Sequence, residues 1–423
     1  MRIVYSRCCG LDVHKATVVA CVLTVNEAGK KTKRVKVFGT YLQELHRLRL
    51  WLYACKVTHV AMESTGIYWK PIWNVLESNF KLLLANPYHM KNIPGRKTDQ
   101  QDAEWIAELH QHGLLRPSFV PPRAIRDLRD LTRSRVKLVE EYNRLHNRIH
   151  KVLEDANLKF DTVASDILGA TGRGIIRSIL DGHEDPRWLA DRARSRLRKK
   201  ETELRLVLRG RINEHHRFML KELVEEVEFV EAKIARLETR IGELMKPYET
   251  DIELLCTIPG IQLITAWTLL AELGADMNQF SDAAHLASWA GLCPGNNESA
   301  GKRKSNRTRK GNRWLRRALC QSAWAVAHSK RNYLTAVFYR RAGRHGLRKA
   351  VVATAHQLLI IVYHMLLDTQ PYRDLGADYF DRLNPERTKR KLIRRFERLG
   401  YQVVVNPKHG LPADYGTELD SRT

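Results

Sequence analysis

Cysteine and unbroken apolar runs are both scarce in this chain of 423 residues. Its seven cysteines form no CxxC pair, and the adjacent Cys8 and Cys9 suit neither a zinc site nor an ordinary disulfide. We therefore expect free thiols and a cytoplasmic location, close to the nucleoid. The N-terminus has no long apolar core, so we expect no signal peptide. The best membrane candidate, Val351–Leu367, is short and is interrupted by two histidines and a glutamine. It predicts a buried core helix and no membrane partner.

Acidic residues are also few relative to basic ones. Lys and Arg number 72 against 47 Asp and Glu, a net charge of +25, and the basic residues cluster. From Lys302 to Arg317, nine of sixteen residues are basic and none is acidic. This density favours nucleic acid as the partner, with a solvated basic face as the alternative. The cations expected to bind phosphate are Lys302, Arg303, Lys304, Arg307, Arg309, Lys310 and Arg313.

The first 120 residues alternate short β-rich runs with helical runs. The predicted strands are Ile3–Val13, Thr17–Val25, Arg34–Gly39, His59–Glu63 and Lys81–Ala85. The predicted helices are Tyr41–Ala54, Tyr68–Ser78 and Asp99–His112. Three consecutive strands followed by alternating helices and strands are typical of ribonuclease-H-like (RuvC-like) nuclease domains.

The rest of the chain has a helical pattern. Apolar residues at 3-4 spacing in 128–152 and 220–244 predict coiled-coil helices, which could pair as an antiparallel hairpin or between subunits. The stretch between them, roughly 155–200, is predicted to be irregular. The fold class is therefore α/β plus α. We expect a RuvC-like domain in 1–120, a coiled-coil region in 121–249, a mainly helical domain in 250–370 and a basic tail in 371–423.

Four carboxylates, in order on different predicted elements of the N-terminal region, are expected to form one metal site. Asp12 and Glu63 each lie at or near the end of a predicted strand, and Asp99 and Asp102 lie three residues apart at the start of a predicted helix. Hard oxygen ligands of this kind suit one or two Mg²⁺ ions, about 4 Å apart, which promote phosphodiester cleavage. Singly, the acids also fit ordinary roles: Asp99 and Asp102 could stabilise a helix start, and the other two could be turn or loop residues.

Ser299 is the candidate nucleophile. It lies in the segment PGNNESAGK (Pro294–Lys302), directly before the basic run. A serine beside glycine in a polar loop is usually only a loop residue, and no neighbouring side chain obviously activates this one. Upstream, Leu255–Gly274 resembles a helix–hairpin–helix element, in which Gly260 and the following helix N-terminus would offer N–H groups to a phosphate. A plain helical hairpin is the alternative.

Five motifs in a fixed order resemble one family. They are GLDVHK, AMESTGIYW, KTDQQD, IPGI and GLCPGNNESAGKRKSNRTRKGNRWLRRAL. The chain is similar over nearly its whole length to the bridge-RNA-guided recombinases, insertion-sequence transposases that join a RuvC-like DEDD domain to a serine-bearing transposase domain. Ala300 is a small departure, because the family often has glycine there. The tail beyond Pro371 is longer than the family core.

The resemblance implies a mechanism and partners. It implies Mg²⁺ binding by Asp12, Glu63, Asp99 and Asp102, and a covalent bond between Ser299 and a DNA phosphate. It also implies dimers or tetramers with shared active sites, and a structured guide RNA that pairs with donor and target DNA. The covalent bond between Ser299 and the DNA phosphate would conserve the energy of the phosphodiester, so the cut strand could be joined to a new strand. The rival functions are a hydrolytic Holliday-junction-type endonuclease and a non-enzymatic nucleic-acid-binding scaffold.

Overall fold

The structure, a computed structural model, divides the chain into two compact units, Met1–Pro121 and Pro122–Thr423. It describes residues 2–26, 29–64, 66–85, 99–295, 297–299, 302–305, 307–308 and 310–406. For residues 99–100, 297–299 and 302–305 only the backbone is described. The finer division of the second unit, at residues 249 and 370, stays a prediction.

A five-stranded mixed sheet forms the centre of the first unit. Its strands are β1 (Arg7–Val13), β2 (Thr17–Val25), β3 (Lys31–Gly39), β4 (His59–Glu63) and β5 (Lys81–Ala85). Its helices are α1 (Leu42–Ala54), α2 (Trp69–Leu76) and α3 (Asp99–Gln111). The spatial order is β3-β2-β1-β4-β5; β1 to β3 pair antiparallel, and β4 and β5 run parallel to β1. This order and pairing confirm the predicted ribonuclease-H-like fold.

The two faces of the sheet bury different helices. Cys9, Leu11 and Val13 of β1 belong to the apolar core that α1 and α2 complete. Cys8 lies on the opposite face, in a cluster with Ala103 and Ala107 of α3. This alternation follows from the two-residue period of a strand.

Two strand starts differ from the prediction. The first strand begins at Arg7 rather than Ile3, because the N–H groups of Val4 and Tyr5 donate to the Gln111 carbonyl at 2.9 and 3.2 Å. The third strand begins at Lys31, three residues early. Its side chains are mostly exposed at the sheet edge, so apolar alternation does not mark its start.

A long antiparallel helical hairpin begins the second unit, formed by α4 (Arg123–Asp155) and α8 (Glu214–Met245). Arg135 pairs with Glu238, and Arg148 pairs with Glu226. A later residue of α4 therefore contacts an earlier residue of α8, as expected for antiparallel helices. The coiled-coil prediction is confirmed, with both helices in one chain.

The prediction of an irregular stretch over 155–200 was wrong. It contains α5 (Ala170–Leu180) and α6 (Pro186–Ala190), and α7 (Glu201–Val207) follows. Glycine obscured α5 in the sequence. A Cβ on Gly172 would lie 2.0 Å from the Ile167 carbonyl oxygen, so this glycine allows a close backbone approach inside a helix.

The remaining elements are helices of 5 to 22 residues and one polar β-hairpin. In order they are α9 (Glu249–Cys256), α10 (Leu263–Leu273), α11 (Ala283–Trp289), β6 (Asn297–Ser299), β7 (Lys302–Ser305), α12 (Arg313–Ala327), α13 (Tyr333–His345), α14 (Leu347–Asp368), α15 (Tyr379–Leu383) and α16 (Pro385–Arg398). Among the described helices, α14 alone is long and apolar enough to cross a membrane. Ten of its 22 side chains are buried inside the protein, as in a core helix.

Candidate active site

Asp12 and Glu63 lie side by side on neighbouring strands. β1 and β4 are parallel, and their register pairs Leu11 with Met62, so the next residue on each strand is an acid. Leu11 and Met62 both belong to the core beneath α1 and α2. Because side chains alternate along a strand, both acids face the opposite side of the sheet, which α3 covers. Asp12 is only 8% exposed, and Glu63 is partly buried.

The start of α3 lies at the same end of that face. Cys8 Sγ is 3.7 Å from the Ala107 carbonyl oxygen, and a Cβ added to Gly10 would meet the backbone of Ala103 and Ala107. Residues of β1 that are nearer to Asp12 therefore lie against residues of α3 that are nearer to its first turn. That turn begins at Asp99 and includes Asp102, whose side chain is partly buried. The Asp99 side chain is outside the described residues.

Gly10 makes this approach possible. A Cβ at this position would lie 2.3 Å from the Ala107 nitrogen and 2.4 Å from the Ala103 carbonyl oxygen. Both atoms belong to helical backbone and cannot move aside independently. The glycine two residues before Asp12 therefore sets the distance between β1 and α3.

His14 is a site neighbour that the sequence reasoning missed. Its Nε2 lies 2.9 Å from Asp12 Oδ2, and its side chain is about half exposed. The His14 N–H donates to the Thr17 carbonyl at 2.9 Å, which holds the residue in the turn between β1 and β2. The signal was the motif GLDVHK itself, where an imidazole follows the first acid by two positions.

The residues present fit a hard divalent cation. Asp12 and Glu63 lie at adjacent strand ends on the face that α3 covers, and Asp102 lies in the first turn of α3, so the acidic residues of this face are carboxylates. Gathering carboxylates in a partly buried place is costly unless a cation compensates their charge. Oxygen-only donor sets of this kind suit Mg²⁺.

The thiols on the same side of the sheet do not fit a nucleophile. Burial, together with the neighbouring Cys21, raises the pKa of Cys8 to about 12. Burial, with Glu104 as a further cause, raises the pKa of Cys21 to about 11. Both remain protonated at neutral pH and act as apolar packing groups. All seven cysteines of the chain are free.

Ser299 lies at the tip of a β-hairpin rather than in the open loop that the sequence predicted. It ends β6 and pairs with Lys302, the first residue of β7. Toward the base, Pro294 forms a bridge with Thr308, and the Gly295 N–H donates to the Arg307 carbonyl at 2.9 Å. The polar sequence of both strands carries no apolar alternation, so the pattern could not reveal them.

The predicted phosphate-binding cations extend along this hairpin and beyond it. Lys302, Arg303 and Lys304 form β7, with their side chains outside the described residues. Arg309 lies wholly outside the described residues. Arg307, Lys310 and Arg313 are exposed, and the Arg313 guanidinium lies 4.4 Å from the Trp314 ring centre.

A buried carboxylate holds the base of the hairpin, and the sequence reasoning missed it. Glu272 of α10 has no exposed surface. Arg133 of α4 donates to both its oxygens, at 2.7 and 2.8 Å, and Asn312 Nδ2 donates at 2.6 Å. Arg129 Nε lies 3.4 Å from the same carboxylate. A single glutamate within the apolar run of α10 was the available signal.

Asn312 connects this cluster to the basic segment. Its side-chain oxygen accepts from the N–H groups of Trp314 and Leu315 at 3.1 and 3.2 Å, so it caps α12. Arg316, one turn further, donates to the Gly291 carbonyl and to Thr308 Oγ1 at 3.1 and 2.6 Å. Both ends of the segment carrying Ser299 are therefore fixed to helices of the second unit.

Gly260 has a packing role. It adopts φ +85°, and a Cβ there would lie 2.6 Å from the Ser322 carbonyl oxygen. It lies in the turn between α9 and α10, which the motif IPGI predicted, and packs against α12. Binding of phosphate by this turn stays a prediction.

Among the side chains that the structure describes, the one group of three possible ligands with close ligand atoms contains none of the four predicted site acids and lies at the end of α4 and just beyond it. His150, Glu154 and Asp161 hold their ligand atoms within 4.8 Å of one another. Glu154 also pairs with Lys159, and His150 Nε2 lies 3.0 Å from Asp161. These ion pairs satisfy the cluster without a cation, so we assign it no metal.

Two family models match the chain. A DEDD transposase model of the IS110 group matches residues 9–158, and the model described as "Transposase IS116/IS110/IS902 family" matches residues 252–340. The first match contains all four acids, and the second contains Ser299. Together with the fold, they define an insertion-sequence transposase, an enzyme that cuts and rejoins DNA. The chain belongs to the IS110 family.

The chain is also similar to individual curated proteins and to a solved structure. A probable family 20 transposase of Pseudomonas aeruginosa is 26% identical, over 63% of this chain and 70% of its own. A pilin gene-inverting protein of Moraxella lacunata is 24% identical, over 86% and 96% of the two chains. Among solved structures, Thermus thermophilus RuvC bound to a Holliday junction is 16% identical over 26% of this chain and 99% of its own, with a TM-score of 0.21.

Proposed function

We propose that this transposase recombines DNA by transesterification, with Ser299 as nucleophile and Asp12, Glu63, Asp99 and Asp102 as Mg²⁺ ligands. The observation that carries the proposal is the shared face of the acids: Asp12 and Glu63 occupy adjacent strand ends on the side of the sheet that α3 covers. When bound, Mg²⁺ would supply Lewis-acid stabilisation of the charge that develops on the phosphate.

The remaining chemistry belongs to the side chains of the chain. Ser299 Oγ attacks the phosphorus, the bond from phosphorus to the leaving deoxyribose oxygen breaks, and the serine proton passes to solvent. A phosphoserine link results, and the leaving oxygen takes a proton. Attack by the hydroxyl of another strand then re-forms a phosphodiester and releases Ser299. One phosphoester replaces another in each step, so no ATP is needed.

The basic segment would neutralise the DNA backbone beside Ser299. The exposed positions of Arg307, Lys310 and Arg313 support this role. Cations near the reacting phosphate lower the cost of bringing two anionic strands together. Binding of a structured guide RNA, assembly into dimers or tetramers, and a cytoplasmic, nucleoid-associated location belong to the same proposal.

A covalent trap tests the nucleophile. Wild-type protein incubated with Mg²⁺, guide RNA and donor DNA should give a protein–DNA adduct on a denaturing gel. S299A should abolish the adduct, whereas the matched variant S305A, on the other strand of the same hairpin, should retain it. An adduct from S299A would show that another residue is the nucleophile. Cleavage by S299A without any adduct would favour the hydrolytic endonuclease.

The same gel tests the acids. D12N and E63Q keep the size of each side chain and remove its charge, so both should abolish adduct formation while the fold is retained. S299A should leave the affinity for Mg²⁺ unchanged, as measured by calorimetry. D12N should weaken that affinity at least tenfold, because it removes one anionic ligand. Equal Mg²⁺ affinity in D12N and wild type would contradict the assigned metal site.

A further inference from the structure

Helix α16 near the C-terminus carries a separate cationic face, which lies beyond both segments matched by the family models. Six basic residues recur at alternating spacings of three and one and therefore share one side of the helix. They are Arg387, Arg390, Lys391, Arg394, Arg395 and Arg398. All six are exposed, and together they line one shallow surface.

None of these six cations forms an ion pair within the part of the chain that the structure describes. The two ion pairs of α15 and α16 use other residues: Arg382 pairs with Asp378, and Lys389 pairs with Glu386. On the cationic face, Arg390 and Arg394 are one turn apart, as are Lys391 and Arg395. Like charges at this spacing repel and destabilise an isolated helix.

The helix has little else to stabilise it. None of its side chains is buried, and Leu392 and Phe396 on the opposite side are each 51% exposed. A free helix of 14 residues is marginal in water. Its base is nevertheless anchored, because Phe380 of α15 stacks on Tyr333 and lies beneath the Arg340 guanidinium.

We propose that the cationic face of α16 binds the backbone of duplex DNA and becomes fully stable only there. The phosphates would remove the repulsion between neighbouring cations. From Arg387 to Arg398 the face spans about 16 Å, and a helix of about 10–12 Å diameter fits the B-DNA major groove, about 12 Å wide. The major groove of duplex RNA is too narrow to admit it. The proposal does not depend on Ser299 or on the four acids.

The slope of affinity against salt tests this contact in the full-length protein. R390Q/R394Q removes two cations from the face, and R382Q/K389Q removes two ion-paired cations from the same tail as a matched control. Binding to a labelled duplex DNA of arbitrary sequence is measured between about 50 and 200 mM salt. The slope of log K against log salt is negative, and each lost phosphate contact lowers its magnitude by about 0.9, so R390Q/R394Q should lower that magnitude by about 1.8. The control should lower it by less than half as much.

Hydrogen exchange provides the second measurement. Saturating duplex DNA should protect the amides of Pro385–Arg398, whereas an RNA hairpin or anionic lipid vesicles should not. The proposal is overturned if the two double variants have the same slope, or if these amides exchange equally with and without DNA. Equal or stronger protection by RNA or by vesicles overturns it as well. S299A should keep the wild-type slope, which separates this test from that of the nucleophile.

Discussion

Replacement of Glu272 tests how the segment carrying Ser299 is held in place. E272Q keeps the size of the side chain but removes the charge that faces Arg133 and Arg129, and one oxygen that accepts from Arg133 or Asn312. The Glu272 side chain has no exposed surface, so water cannot readily replace the lost acceptor. Breaking a buried ion pair from one side costs about 3–5 kcal/mol. The loss here should lie near the lower end of that range, because Arg133 is 31% exposed, whereas Arg129 is only 14% exposed.

The expected loss in the free energy of unfolding is large enough to measure by urea titration. In a thermal unfolding experiment, at about 2–4 °C per kcal/mol for a large domain, the melting temperature should fall by about 10 °C. E238Q is the matched control, because Glu238 pairs with Arg135 on the same helix α4 but is 36% exposed. The Glu238 carboxylate reaches water, unlike that of Glu272, and ion pairs open to solvent contribute about 0–1 kcal/mol. If E272Q and E238Q lower the free energy of unfolding equally, the reasoning about the buried carboxylate is refuted.

Two further predictions concern the first unit. Burial, with His59 as a second cause, lowers the pKa of His110 to about 4. Below about pH 6.5 this histidine is therefore protonated in the unfolded chain but still neutral in the folded unit. The free energy of unfolding should therefore be highest above about pH 6.5 and should fall by about 2–3 kcal/mol by pH 4.5. H110F has no imidazole to take up a proton, so it should lose less stability between these two pH values in urea titrations. An equal loss in H110F and wild type would contradict the assignment. G10A should lose about 3 kcal/mol or more, because its Cβ meets the α3 backbone, whereas G343A, in a helix with open space around it, should be neutral or slightly stabilising in the same assay.

Local patterns predicted most of the first unit. The strands His59–Glu63 and Lys81–Ala85 were predicted at their observed bounds, because each is a short apolar run between turn residues. The shared face of Asp12 and Glu63 could not be read in the same way. It depends on the register between β1 and β4, which the sequence does not encode locally.

The second unit was less predictable where polar residues form structure. The hairpin that carries Ser299 is built from charged and polar residues, which show no strand alternation. Glu272 contacts Arg133, which is 139 positions away, and Asn312, which is 40 positions away. The local sequence therefore does not indicate these contacts. The heptad pattern did predict the coiled coil, because its apolar stripe is repeated over many turns.

Mass spectrometry of the trapped DNA adduct tests the central claim most directly. The wild-type protein is trapped with donor DNA, guide RNA and Mg²⁺, digested with protease and nuclease, and the modified peptide is sequenced. The account predicts a nucleotide attached through a phosphoester to Ser299, and no modified peptide from a D12N sample treated in parallel. A nucleotide on any other residue, or complete strand cleavage by wild type with no modified peptide, would contradict it.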